Sequence, residues 1–177
     1  MLDEKTGIDF PLYQKDVPEI FAVDDPNDLV FQRNFLQVVD FSEMRPHFDH
    51  LLDFAGNRWN YRIYMNWVMG DPNRRALRLI IERGLAQQLE TFDGCHSIRP
   101  SKGGNQWSQH AYGLALDFNA ASNQYGQEPT MDLGIVKCFA ESGFEWGGLW
   151  STPDGMHFQL SWIRLRTGPL APVPWRA

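Results

Sequence analysis

The chain reads as a single α+β domain, and three observations lead there: its length of 177 residues, its globular composition, and helix-type and strand-type patterns that follow one another without a repeat. That length suits one domain with a core of its own. Apolar residues make up 43% and charged residues 21%, values that exclude disordered, collagen-like and coiled-coil chains. No apolar run reaches the roughly 18 residues that a membrane helix needs, so no membrane span is expected.

Residues 1–30 carry Pro11, Pro18 and Pro26 among many acids and show no periodicity. They are expected to form an acidic, extended N-terminal segment lying over the body, with few hydrogen-bonded elements. The body runs over 31–165. Met44, Phe48, Leu51 and Leu52 have helical spacing, with Ser42 as N-cap, Gly56 as terminator and Pro46 in the first turn. Tyr61, Ile63 and Tyr64 predict a strand, after which Asp71-Pro72-Asn73 breaks the chain. Leu77, Ile80, Ile81, Leu85 and Leu89 form the apolar stripe of a helix near 73–90, weakened at Gly84. A strand over Thr91 to Arg99, a Gly-rich loop at 101–106 and a strand near Tyr112 to Asn119 follow. Thr130 or Asp132 can cap a helix that buries Leu133, Val136, Phe139 and Ala140 and stops at Gly143. Met156 to Trp162 reads as the last strand, and the Pro-rich tail at 166–177 as extended chain outside the fold.

The formal charge of −6 is unevenly distributed: residues 1–28 hold eight acids against Lys5 and Lys15, and the other 149 residues balance. A neutral body without a basic stripe speaks against nucleic acid as a partner. The opening MLDEKTGIDFPLY has acids where a signal peptide would carry a basic region and an apolar run, so synthesis in the cytoplasm without a secretory leader is expected. Cys95 and Cys138 are too few for a disulfide framework or a thiolate zinc site and read as semi-buried thiols.

Two segments carry chemistry: Ser108-Gln-His110-Ala-Tyr-Gly113-Leu-Ala115-Leu-Asp117, and Asp154-Gly-Met-His157. On one regular strand His110 and Asp117 would face opposite ways, but a turn or bulge at Gly113 could bring them together. Alone, that pair suits a satisfied core histidine as well as a ligand. With His157 on another strand, two imidazoles and one carboxylate make three ligands for a tetrahedral zinc, leaving its fourth position open as in a catalytic site.

At this point the motifs resemble a known family. SQHAYGLALD is similar to the SxHxxGxAxD signature of the zinc D-alanyl-D-alanine carboxypeptidases and L-alanyl-D-glutamate endopeptidases, the peptidoglycan peptidases that include phage endolysins. GFEWGGLW followed by DGMHFQ resembles that family's second half, and FDGCHSIR its upstream strand with a terminal Arg. The resemblance spans about Tyr61 to Gln159. It implies an antiparallel sheet carrying the zinc site, packed against two or three helices, with 31–165 as the catalytic domain.

Residue by residue, it implies that His110, Asp117 and His157 bind one catalytic Zn2+ and that Asp154 is the general base. Zinc brings the pKa of water from about 15.7 toward roughly 7 and polarises a carbonyl; a carboxylate beside that water can take its proton and pass it to the departing amine. Many relatives have Glu at this position, and Asp is seen in endolysin-like members. Arg99 would stabilise the oxyanion or grip a substrate carboxylate, or else be a surface Arg after a strand. Ser108 could bind substrate backbone or cap its turn. Trp107, Trp146 and Trp150 could line a cleft or belong to the core. Gly113 and Ala115 read as steric requirements, and Gly147 and Gly148 as a tight turn before Asp154. Asn119 and Asn123 suit a polar loop beside the cleft. His47 and His50 form an HxxH pair for which a second metal is conceivable, and His96 reads as structural or solvated.

The implied activity is zinc-dependent hydrolysis of an amide bond in peptidoglycan stem peptides by a monomer acting at the bacterial cell wall. A cytoplasmic dipeptidase of wall fragments and a non-catalytic zinc module on the same scaffold are the competing readings.

Overall fold

The computed structural model describes residues 8–11, 14–102 and 104–165. The tail at 166–177, expected to be extended, lies outside them, as do residues 1–7, 12 and 13. The architecture is α+β. In chain order the elements are β1 (Ile8–Pro11), α1 (Val17–Ile20), α2 (Leu29–Phe35), β2 (Leu36–Asp40), α3 (Arg45–Phe48), β3 (Leu52–Asp53), β4 (Arg62–Asn66), α4 (Gly70–Glu82), β5 (Thr91–Gly94), β6 (Ala115–Phe118), α5 (Leu133–Glu141), β7 (Phe144–Trp146), β8 (His157–Leu160) and β9 (Trp162–Leu165).

A five-stranded sheet in the order β3-β5-β6-β8-β7 forms the centre, flanked by two-stranded β2-β4 and β1-β9 ladders. The central sheet is mixed, because short β3 runs parallel to β5 while the other pairs are antiparallel. The strands that carry the candidate site, β6 and β8, pair antiparallel, as expected. Alternation along β6 and β8 sorts their side chains onto two faces. Leu116, Phe118, Phe158 and Leu160, all fully buried, pack into the core with Phe139 of α5, whose ring stacks on Phe158 at 4.3 Å. Asp117, His157 and Gln159 occupy the other face, with Asp117 directly opposite His157.

Helix boundaries differ from expectation where proline and glycine act at helix ends. Pro72 sits in the first turn of α4, where its missing N–H costs nothing, so Asp71-Pro72-Asn73 opens the helix instead of breaking the chain. Gly84 is not a weak point inside that helix. It lies just past its end at φ +70°, where the Gly84 and Leu85 N–H groups donate to Ile81 O and Ile80 O at 3.0 and 2.9 Å. Asp132 caps α5 by accepting from Gly134 N and Ile135 N, but the buried face is Ile135, Cys138 and Phe139. Leu133 and Ala140, expected inside, are exposed. The helix predicted from Met44 to Leu52 is reduced to a 3-10 turn and one α turn, with Pro46 at its start, and Leu52 belongs to β3.

The described residues of 1–30 hold more hydrogen-bonded structure than the extended segment expected to lie over the body. Backbone pairing joins β1 to β9, and Val17, Phe21 and Val23 are buried in the same core as Phe31. Asp28 caps α2, accepting from Val30 N at 2.6 Å and Phe31 N at 3.3 Å. Strands predicted over 91–99 and 112–119 shorten to β5 and β6, and the last strand divides at Ser161 into β8 and β9.

Candidate metal centre

His110 lies on a 3-10 turn at Gln109–Tyr112, directly before β6. Gly113 ends that turn at φ +66° and lets the chain reverse, as its place between His110 and Asp117 suggested. A Cβ there would lie 2.6 Å from Asn66 N and 2.9 Å from a Leu36 methyl, so the close approach of β2 and β4 also requires glycine. The Ser108 hydroxyl accepts from His110 N at 3.3 Å and so caps the turn, while Ser108 also lines the cleft described below.

The turn brings His110 Nε2 to 3.2 Å from Asp117 Oδ2 and 3.0 Å from His157 Nδ1, and His157 Nδ1 lies 3.3 Å from Asp117 Oδ1. Among the described residues this is the group of His, Cys, Asp and Glu side chains positioned to hold a metal. Tetrahedral ligands at zinc bond lengths stand about 3.3 Å apart, so three donors at these separations suit one ion. The outer nitrogens support the same fit. His110 Nδ1 lies 2.5 Å from Cys95 O, and His157 Nε2 lies 3.2 Å from Gln159 Oε1. Both oxygens only accept, so these nitrogens carry the protons and the facing nitrogens keep lone pairs for a metal. Gln159 is itself oriented, donating from Nε2 to Glu145 Oε2 at 3.2 Å. Asp117 Oδ1 is buried without a hydrogen-bond donor, a cost that a cation removes.

A cleft of about 360 Å³ opens beside this group, with Arg99, Ser108, Trp150, Asp154 and His157 in its wall. Asp154 is 9% exposed and its Oδ1 has no partner. Burial raises its carboxyl above the ordinary value, an effect partly offset by His157. Its loop is fixed by close packing: the Asp154 N–H donates to Gly147 O at 2.9 Å, and a Cβ on Gly147 would lie 2.7 Å from Asp154 O. Gly148 packs against the Trp146 ring. Arg99 forms no ion pair among the described residues.

The three tryptophans separate. Trp150 is in the cleft wall, 5.2 Å from the His157 ring. Trp107 and Trp146 are not among the lining residues and pack against the core, and the Trp146 indole N–H donates to Gly155 O at 2.8 Å, tying down the Asp154 loop. Asn119 and Asn123 are structural: Asn119 Oδ1 accepts from Glu90 N and Thr91 N, and buried Asn123 accepts from Thr130 N. His50 Nε2 faces Ala86 O and Leu89 O at 3.1 and 2.9 Å while His47 is exposed, so the HxxH pair assembles no metal site. His96 meets the Tyr64 ring edge-on at 5.2 Å. Cys95 and Cys138 are buried free thiols, and burial pushes both thiols up.

Gln159, Gln109, Lys102 and Tyr125 also line the cleft and were not singled out from the sequence. For Gln159 a signal existed: two residues beyond His157 on a strand, it shares that imidazole's face. Gln109 is 2% exposed with both amide atoms unpartnered, which its sequence neighbours alone do not reveal.

None of the curated proteins and none of the solved structures matches the chain. No described helix is long and apolar enough to cross a membrane. Residues 102–160, which include His110, Asp117, Asp154 and His157, match the family model described as D-alanyl-D-alanine carboxypeptidase, the family that the motifs resemble.

Proposed function

We propose that the chain is a zinc-dependent peptidase that hydrolyses an amide bond in peptidoglycan stem peptides, as an endolysin-like L-alanyl-D-glutamate endopeptidase or D-alanyl-D-alanine carboxypeptidase. One observation carries this reading: a His-Asp-His donor set reaches, through His157, a cleft whose wall also holds a buried carboxylate with an unpartnered oxygen, that of Asp154. A purely structural site would surround its metal with four protein ligands and need no such acid. His110, Asp117 and His157 would hold the zinc, which when bound would supply Lewis acidity toward water and the scissile carbonyl.

The protein's own groups supply the remainder. Asp154, poised by burial toward proton uptake, accepts the proton of the attacking water and returns it to the leaving amine. Arg99 places a fixed positive charge on the cleft wall, where it favours the oxyanion over the neutral carbonyl. Trp150 offers an apolar wall to the substrate. Cys95 O and Gln159 hold the imidazoles in one tautomer each. The assignment is tested by release of new amines from purified peptidoglycan by the zinc-loaded protein. Hydrolysis abolished by chelator and lowered at least about 100-fold by Asp154→Ala supports it. Equal activity of the variant removes Asp154 as the base.

A further inference from the structure

The cleft wall carries two cations three residues apart, Arg99 and Lys102, against a single carboxylate, the largely buried Asp154. Neither cation forms an ion pair with a described carboxylate. Lys102 is nevertheless held in place, with its Nζ 4.3 Å from the centroid of the Tyr125 ring. Tyr125 is itself anchored. The Gly126 N–H beside it donates to Pro153 O at 2.7 Å, and Pro153 directly precedes Asp154. Two loops of the cleft wall thus meet through Lys102 and Tyr125, and their position is tied to the loop of the proposed base. The ammonium is also close enough to Asp154 to favour its ionised form.

A ring face contacts an ammonium without satisfying its three N–H donors. Lys102 therefore presents unspent hydrogen-bonding capacity and positive charge, and the complementary group is an anion arriving with the substrate. We propose that Lys102 is a specificity-determining residue: held by Tyr125, it receives a free carboxylate on the substrate residue next to the scissile amide, so an acidic peptide is preferred over its amidated counterpart. The inference rests on the peptidase reading above and narrows its substrate to stem peptides whose flanking acid is free. Tyr125 acts through Lys102 as a positioning residue.

The test compares two peptides, L-alanyl-γ-D-glutamyl-L-lysine and the same peptide with the glutamyl α-carboxylate converted to a carboxamide. The zinc-loaded protein should favour the free acid by about tenfold in kcat/KM, chiefly through KM, with the preference shrinking as salt rises. Lys102→Gln should bring the ratio to within about twofold and Lys102→Arg should retain most of it, while Tyr125→Leu should give an intermediate ratio. Equal use of both peptides by the wild-type protein, or an unchanged ratio in Lys102→Gln, overturns the proposal. If neither peptide is cut, the peptidase reading fails for this substrate. Calorimetric titration of the same pair still reads the carboxylate preference: a tenfold difference in affinity that Lys102→Gln abolishes supports it, and equal affinities overturn it.

Discussion

The two halves of the molecule use their residues differently. From Lys102 to Leu160 the chain presents donors whose chemistry cannot be exchanged, on a turn and two paired strands, and this is the part that matches a family. From Val17 to Asn66 it presents mainly apolar volume: Val17, Phe21, Phe31, Phe41, Phe48 and Ile63 are buried, and no residue there belongs to the metal group. The halves meet at the turn that carries His110. Asn66 N donates to Gly113 O at 3.0 Å, and Phe31 packs edge-on against Tyr112 at 5.8 Å. The N-terminal half is therefore the buttress of the site, and its contribution is shape, which many sequences can supply.

Substitutions can separate these roles. The largest loss of stability is expected from Phe41→Ala, a fully buried ring stacked on Trp59 and covered by the Arg74 guanidinium. It should cost about 4 kcal/mol in denaturant unfolding while the folded fraction keeps its full metal content. Loss of metal from that folded fraction would show that the halves are coupled beyond the Gly113 contact. Gly113→Ala should cost less in stability, about 2–3 kcal/mol from the left-handed backbone and the clash with Asn66 N, but should also weaken metal binding because the His110 turn must shift. Unchanged metal affinity would break the buttress argument. Gln159→Leu is expected to have the smallest effect on folding yet to lower metal affinity about 10- to 100-fold, read by competition with a chelator, because His157 Nε2 loses its acceptor.

The same contrast explains what could be read from the residues alone. The clustering of His110, Asp117 and His157 was legible because metal-binding chemistry restricts ligands to a few residue types and because Gly113 signalled the reversal that joins them. Leu116, Phe118 and Phe158 declare their face by alternation. The buttress was not legible: α1, α3 and β3 have only two to four residues each, too short for periodicity to register. Leu133 and Ala140 were misplaced because α5 has apolar residues around most of its circumference, so the stripe alone does not set its phase. Pro72 and Gly84 look like interruptions in the sequence yet mark the start and stop of α4, since the same residues break a helix interior and define its ends. The Cys95 carbonyl that orients His110 has no side-chain signature at all.

The proposed function requires His110, Asp117 and His157 to hold one metal ion together. Elemental analysis of the purified, zinc-equilibrated protein and of its His110→Ala variant tests this most directly, with circular dichroism to establish that both are folded. One zinc per chain in the parent and close to none in the folded variant is the predicted result. Full zinc occupancy in the folded variant would contradict it.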